Sequence, residues 1–282
     1  MLILANAELR VELLDPAVDQ ARLGPRYCWG GYIWQVHDAR AGPLLTGPEW
    51  PKPDPTAFNG QGLPESFRHS TRDGRPLTWN GDRGIAVGAG ELARNSAGEV
   101  ELLRPCQWQI TPDREQISFH TRHDAAGFAY ELTRHVELAG RTLNSVSTLT
   151  NHAAMPLCLE WFAHPFFALT DRLIGAELPA GTTVADNPAF AITGRRLDQK
   201  RRFASVTDGH FDFLRLPPAP TLTAKLNHPV LTHVGFATSF APGECIIWGN
   251  ANTFSIEPYL ALALAPGRTK EWSVRYEFGE IA

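Results

Sequence analysis

The sequence predicts an all-β protein, a large antiparallel sandwich that forms a single domain over residues 1–282. Two observations carry this prediction. Apolar and polar residues alternate strictly over 117–122 and 272–278, and residues 130–138 keep the same period, interrupted only by Arg134. The 24 glycines and 22 prolines divide the rest of the chain into short segments. Strict alternation is typical of strands buried on one face. Glycines and prolines at this frequency leave segments that are long enough for strands but too short for most helices.

The composition limits the classes of partner. A hydrophobic content of 43%, a charged content of 20% and a net charge of -4 are ordinary for a globular protein and do not favour binding to nucleic acid or to an anionic membrane. The four cysteines share no short spacing, which favours reduced thiols. The start lacks a basic leader and no apolar run reaches about 18 residues, so we expect a cytoplasmic protein.

The first third of the chain contains strand candidates at 9–14 and 32–36, joined through the sequence RYCWGG, whose glycines indicate a tight bend or a close backbone approach. An irregular, proline-rich segment follows at 47–76. Its aromatic residues need a surface to pack on, so we expect residues 50–76 to form an ordered wall over a pocket. The aromatic residues of this segment are Trp50, Phe58 and Phe67.

Three polar residues of this wall, Glu65, Arg68 and His69, are candidates for facing a ligand, and ordinary loop surface is the alternative. The sequence GIAVGAGELA at 84–93 imitates a dinucleotide-binding fingerprint, but Asn95, Ser96 and Gly98 would stop the helix that such a motif requires. The histidine pairs at 120/123 and 228/233 are weak metal candidates, and the first pair lies on a predicted strand, where residues three apart face opposite ways.

The only helix candidate is LDQKRRFA at 197–204, which is too short to connect parallel strands. It overlaps a basic cluster at 195–202 that predicts either a solvated surface or a seat for an anionic substrate. Asp212 is the next acidic residue that stands among apolar neighbours.

Among the titratable residues that directly precede a proline, His164 in HPFF and Glu257 in IEP form the most suggestive pair. A proline fixes the preceding residue in extended geometry and gives no donor to a strand ladder, which indicates a bulge, an edge or a strand end. We therefore expect both side chains to meet across one pocket. The alternative for His164 is a partly buried histidine in an aromatic core.

With these two segments, the chain resembles the aldose 1-epimerase (galactose mutarotase-like) family. HPFF follows a strand ending in LTN, and IEP precedes APG and the alternating strand WSVRYEF, as in the family's histidine and glutamate segments. The resemblance implies a β-supersandwich with a sugar site, Glu257 as the base, His164 as the acid, and no metal or organic cofactor. The expected partner is a monosaccharide or sugar derivative, and the expected assembly is a monomer or homodimer.

The resemblance extends less well to the sugar contacts. Arg68 and Asp212 correspond loosely to the family's sugar-binding arginine and aspartate, and its second histidine has no clear match beyond His69. Trp161 and Phe166 are candidates for stacking on a sugar ring, and equally for core packing. Two other functions stay open: a sugar-binding protein without turnover, and a glycoside hydrolase or lyase that pairs Glu257 with Glu65 or Asp212.

Overall fold

A computed structural model of the chain describes residues 1–52, 59–171 and 173–282. Within these ranges it contains one short 3-10 helix, Gln20–Arg22, and 25 strands. The strands, in chain order, are β1 (Leu2–Ala5), β2 (Leu9–Leu13), β3 (Ile33–Asp38), β4 (Gly42–Pro43), β5 (Glu65–Arg68), β6 (Trp79–Asn80), β7 (Arg83–Ala86), β8 (Gly90–Arg94), β9 (Val100–Pro105), β10 (Gln109–Pro112), β11 (Gln116–Ala125), β12 (Phe128–Ala139), β13 (Thr142–Asn151), β14 (Leu157–Ala163), β15 (Phe167–Ala168), β16 (Gly175–Glu177), β17 (Thr183–Val184), β18 (Phe190–Thr193), β19 (Arg196–Gln199), β20 (His210–Arg215), β21 (Thr223–Leu226), β22 (Val234–Thr238), β23 (Glu244–Gly249), β24 (Thr253–Leu264) and β25 (Thr269–Phe278).

Two large sheets dominate the architecture. A ten-stranded sheet has the order β10-β11-β12-β13-β25-β22-β21-β16-β19-β18, and a seven-stranded sheet has the order β17-β20-β23-β24-β14-β5, with β15 paired to β24. Two four-stranded sheets, β1-β2-β3-β4 and β6-β7-β8-β9, complete the described part of the chain. The ring centroids of Trp161 on β14 and Trp272 on β25 lie 5.6 Å apart, so the two large sheets pack face to face.

The all-β prediction is confirmed, and the long alternating segments are strands β11, β12 and β25. Arg134, the one residue that breaks the alternation of β12, is fully buried between the sheets and forms an ion pair with Glu65 on β5. The candidate close approach at RYCWGG is also confirmed, because a Cβ atom on Gly30 would lie 2.3 Å from the Trp108 ring. Among the described residues, no helix has the length and apolarity needed to cross a bilayer.

The helix predicted at 197–204 is wrong. Residues Arg196–Gln199 form β19, which pairs with β16 and β18, and Leu197 is buried while Arg196 is exposed. Burial on one face therefore outweighs the helix propensity of this basic segment. The basic cluster is a solvated surface: Lys200 and Arg201 are exposed, and they form ion pairs with the nearby Asp186 and Asp208.

The segment GIAVGAGELA is a hairpin. Strands β7 and β8 pair antiparallel, with Gly84 opposite Leu92 and Ala86 opposite Gly90. No helix opens at its glycines, so the exclusion of a dinucleotide-binding motif is confirmed.

Candidate active site

Three adjacent strands of the seven-stranded sheet carry the site. β14 lies between β24 and β5, with Phe162 opposite Tyr259 and Ala163 opposite Glu65. His164 follows the last residue of β14, where Pro165 prevents the ladder from continuing, and its backbone N–H donates to the carbonyl of Pro64 at 2.9 Å. The imidazole is thereby held beside the middle of β24.

The structure brings His164 and Glu257 together, as the sequence predicts. His164 Nε2 lies 3.5 Å from Glu257 Oε1, and each residue is 5% exposed. Ser255 Oγ lies 3.2 Å from His164 Nδ1, and the hydroxyl of Tyr259 donates to Glu257 Oε2 at 3.3 Å. Two side chains of β24 therefore orient the pair: Ser255 orients His164, and Tyr259 orients Glu257.

Aromatic rings enclose the imidazole of His164. Their centroids lie 4.5 Å (Phe166), 5.8 Å (Phe162), 6.0 Å (Trp248) and 6.2 Å (Tyr27) from it. An enclosure of this kind excludes water and strengthens electrostatic interactions inside it.

Burial controls the protonation of both groups. It raises the pKa of Glu257 to about 7, against the opposing effect of nearby positive charge, chiefly that of Arg26. Burial also holds the pKa of His164 well below its usual range, and the charge of Arg26 acts in the same direction. Below about pH 7 the pair therefore holds one proton, mainly on Glu257.

The pair opens onto a cavity of about 920 Å³. Its lining includes His164, Glu257, Tyr259, the aromatic rings of Phe162, Phe166 and Trp248, and the three arginines Arg26, Arg68 and Arg72. The cavity therefore combines a close pair of titratable groups with apolar surface and several hydrogen-bond donors, which is the composition of a small-molecule site.

Arg68 and His69, which the sequence singles out, both line this cavity. Arg68 forms an ion pair with Glu160 at 3.2 Å. His69 Nδ1 accepts a hydrogen bond from Trp79 Nε1 at 3.1 Å, and burial, helped by the charges of Arg94 and Arg68, lowers the pKa of His69 to about 4. His69 is thus neutral near pH 7, with its Nε2–H as a donor.

Glu65, Trp161 and Asp212 do not line the cavity, which corrects the interpretation of them as sugar contacts. Glu65 is buried on the core side of β5, where Oε2 accepts from Trp161 Nε1 at 3.1 Å. Trp161 is fully buried on the same side. Asp212 lies next to the lining residue Phe211 on β20 and faces His210, 4.0 Å away. Alternation along each strand turns all three side chains away from the cavity.

The predicted wall at 50–76 contributes residues 66–72 and Asn59 to the cavity. Phe67 is among them, although most of its ring is in the core, where it contacts Trp272. Trp50 is not a lining residue. Phe58 lies outside the described residues.

Sequence reasoning missed Arg26 and Tyr259. Arg26 belongs to the loop before β3, and its carbonyl accepts from Ser66 Oγ at 2.6 Å, which fixes the loop against β5. No local pattern marks this residue. Tyr259 lies two residues after Glu257 on β24, and this spacing was a usable signal.

No protein-family model matches the chain, and no curated protein sequence is significantly similar to it. Solved structures are similar over the whole length. A galactose mutarotase-like protein from Lactobacillus casei matches with a TM-score of 0.63 and 16% identity, covering 99% of both chains. A galactose mutarotase related enzyme from Lactobacillus acidophilus matches with a TM-score of 0.60 and 14% identity, covering 100% of this chain and 99% of the other.

A galactose mutarotase-like protein from Clostridium acetobutylicum matches with a TM-score of 0.57 and 12% identity, covering 99% of this chain and 94% of the other. At these low sequence identities, the similarity shows a common fold, that is, the same arrangement of strands. The face-to-face packing of the two large sheets and these full-length matches lead to one conclusion: the chain has the galactose mutarotase-like fold.

Proposed function

We propose that this protein is an aldose 1-epimerase, which interconverts the α and β anomers of a free aldose by opening and closing the sugar ring. The observation that carries the proposal is the 3.5 Å contact between His164 Nε2 and Glu257 Oε1 at the wall of the cavity. The fold and its galactose mutarotase-like neighbours support a sugar as the ligand.

Ring opening needs two proton transfers, one at each of the two oxygens bonded to the anomeric carbon. A base takes the proton of the anomeric hydroxyl, and an acid protonates the ring oxygen as the bond from the anomeric carbon to that oxygen breaks. Both oxygens are bonded to the anomeric carbon, so a base and an acid in mutual contact reach both at once. In the proposed mechanism Glu257 is the base and His164 the acid, and the roles reverse when the ring closes on its other face. Each positioned transfer contributes about 10²- to 10⁴-fold.

The pair is suited to this exchange because it carries one proton. The dominant form below about pH 7 holds the proton on Glu257. Transfer across the contact to His164 gives a carboxylate that accepts the hydroxyl proton and an imidazolium that protonates the ring oxygen. Ser255 at Nδ1 keeps the ring of His164 oriented in both forms.

A glycoside hydrolase is less well supported. That chemistry requires two carboxyl groups that flank one bond. The other carboxylate among the described lining residues is Glu99, which is exposed and accepts from Asn95 at 2.9 Å. Glu65 and Asp212, the candidate second carboxylates, do not line the cavity. The close contact of two buried titratable groups at the cavity wall favours an enzyme over a binding protein without turnover.

The test is anomer exchange measured by saturation-transfer NMR on a panel of free and phosphorylated aldoses. We expect Glu257→Gln and His164→Asn each to reduce exchange by about 10²-fold or more, with little change in thermal unfolding. The two losses should not add, because one transition state needs both groups. Glu271→Gln is the matched control, an exposed glutamate on β25. Full exchange by well-folded Glu257→Gln would refute the mechanism.

A further inference from the structure

Two wall segments of the cavity, residues 46–50 and 203–208, lack regular secondary structure. The first supplies Pro48 to the lining and the second supplies Val206. Val206 is 43% exposed, and four of the six residues of its segment are exposed, so packing in the core fixes little of that segment. Polar contacts are therefore needed to hold this part of the wall in place.

The turn between β23 and β24, residues 250–252, supplies these contacts. Asn250 Nδ2 donates to the carbonyl of Pro48 and to that of Val206, each at 3.2 Å. Asn252 Nδ2 also donates to the Pro48 carbonyl, at 2.7 Å. Asn250 is fully buried, which strengthens the hydrogen bonds of its amide. Because one nitrogen atom reaches a carbonyl from each wall segment, the two segments meet at Asn250.

The side-chain amide of Asn250 uses its oxygen and its nitrogen for different tasks. Oδ1 accepts from the backbone N–H groups of Asn252 at 2.9 Å and Thr253 at 3.2 Å, which closes the turn. The nitrogen binds the two wall segments. A carboxylate in place of the amide would keep the acceptor and remove both donors. One substitution can therefore separate the two tasks.

A surface ion pair shapes the second wall segment. The carboxylate of Asp208, at its end, accepts from Arg201 Nη1 at 2.8 Å and Nη2 at 2.7 Å. The same carboxylate accepts from the backbone N–H of Ala204 at 2.7 Å, which draws the segment into a loop. Arg201 belongs to the basic cluster at 195–202. The ion pair thus fixes the shape of the segment, and Asn250 fixes its position.

We infer that Asn250 is a positioning residue that joins the two wall segments and thereby sets the shape of the cavity for its substrate. The kinetic consequence rests on the proposed function. Asn250 is not a lining residue, and the side chains that orient His164 and Glu257 are Ser255 and Tyr259, farther along β24. Loss of the Asn250 donors should therefore weaken substrate binding and leave the two proton transfers intact.

The first test compares the wild type with Asn250→Asp, Asn252→Asp and Arg201→Gln. Hydrogen exchange, measured by mass spectrometry, reports the order of each wall segment without any ligand, and the hydrogen-bonded N–H groups of Trp50 and Ala204 are the reporters. We expect Asn250→Asp to raise exchange about tenfold in both segments, from the loss of both donors. Asn252→Asp should raise exchange in the first segment only, and Arg201→Gln in the second only.

Two of the variants guard against a failure to fold. Arg201→Gln changes an exposed side chain and should preserve the fold. Asn250→Ser buries no charge and closes the turn more weakly through its hydroxyl, so it replaces Asn250→Asp if that variant does not fold. Unchanged hydrogen exchange in both wall segments of a folded Asn250 variant would overturn the inference.

The second test separates positioning from a general loss of structure. Anomer exchange of glucose and galactose should show KM raised about tenfold in Asn250→Asp, with kcat within about twofold of the wild type. The descending limb of kcat/KM near pH 7 should not move. An unchanged KM, or a fall in kcat that parallels a lower Tm, would overturn the inference.

Calorimetry with the same two sugars distinguishes this inference from the epimerase proposal. A wild type that binds sugar without exchanging its anomers would refute the epimerase. In that case a Kd raised about tenfold in Asn250→Asp would still support the positioning role, and an unchanged Kd would overturn it.

Discussion

The buried ion pair between Arg134 and Glu65 should be a major determinant of stability, and its removal should show that Glu65 has a structural role. The pair joins β12 of the ten-stranded sheet to β5 of the seven-stranded sheet. Arg134 also donates to the carbonyl of Gly30 at 2.8 Å and to Ser145 Oγ at 2.6 Å. Glu65 accepts from Ser145 and Trp161. Every charged atom therefore has partners, and loss of either residue leaves a charge buried between the sheets.

The expected cost follows from this burial. Removing one partner of a buried, hydrogen-bonded ion pair costs about 3–5 kcal/mol. The whole free energy of unfolding of a domain is about 5–15 kcal/mol, so Arg134→Met should remove about a fifth or more of it. Glu65→Leu should have a similar cost. The double variant Arg134→Met/Glu65→Leu buries no unpaired charge and should be more stable than the sum of the single losses predicts, by about 2 kcal/mol or more.

The assay is urea unfolding of the wild type, both single variants and the double variant, analysed as a double-mutant cycle. A coupling free energy below about 0.5 kcal/mol, together with a loss below about 1 kcal/mol in Arg134→Met, would refute the reasoning. If Glu65 instead contacted the sugar, Glu65→Leu would raise KM and leave the free energy of unfolding unchanged.

Two further predictions concern the proton shared by His164 and Glu257. Glu257 loses its proton as the pH rises through about 7, and the pair then has no proton to give to the ring oxygen. We therefore expect kcat/KM for anomer exchange to fall about tenfold per pH unit above about pH 7. A rise in kcat/KM through pH 7 would show that His164 is not the acid. The hydrogen bond from Tyr259 lowers the pKa of Glu257, so Tyr259→Phe should move this descending limb to higher pH, and a limb at the wild-type pH would contradict the coupling.

Much of the fold could be predicted from the sequence because four of its five longest strands are each buried on one face; the fifth, β24, is buried on both faces over its first seven residues. Strands β11, β12, β13 and β25 lie side by side in the ten-stranded sheet and show regular alternation of buried and partly exposed residues. Short strands such as β15 and β17 have two residues each and carry no periodic pattern. The basic segment of β19 is the instructive error, because four residues are too few to separate a helical from a strand period.

That Arg134 needs a carboxylate partner could be expected from the sequence, but which carboxylate it is could not. A charge in the middle of an apolar face has to be paired, and this sequence offers many carboxylates. Glu65 is 69 positions earlier in the chain, in a segment without periodicity, and only the packing of one sheet on the other brings the two together. Arg26 was missed for the same reason, since its place at the site depends on a loop held against β5.

The remaining side chains of the site follow from strand alternation. On β24, counting by two from Glu257 gives Ser255 and Tyr259, the side chains that contact His164 and Glu257. Counting back by two from His164 gives Phe162, which lines the cavity, and places Trp161 on the opposite face, where it is buried in the core. Once His164 and Glu257 are taken as facing a pocket, the same period that predicts the strands selects Tyr259 and Phe162 and excludes Trp161.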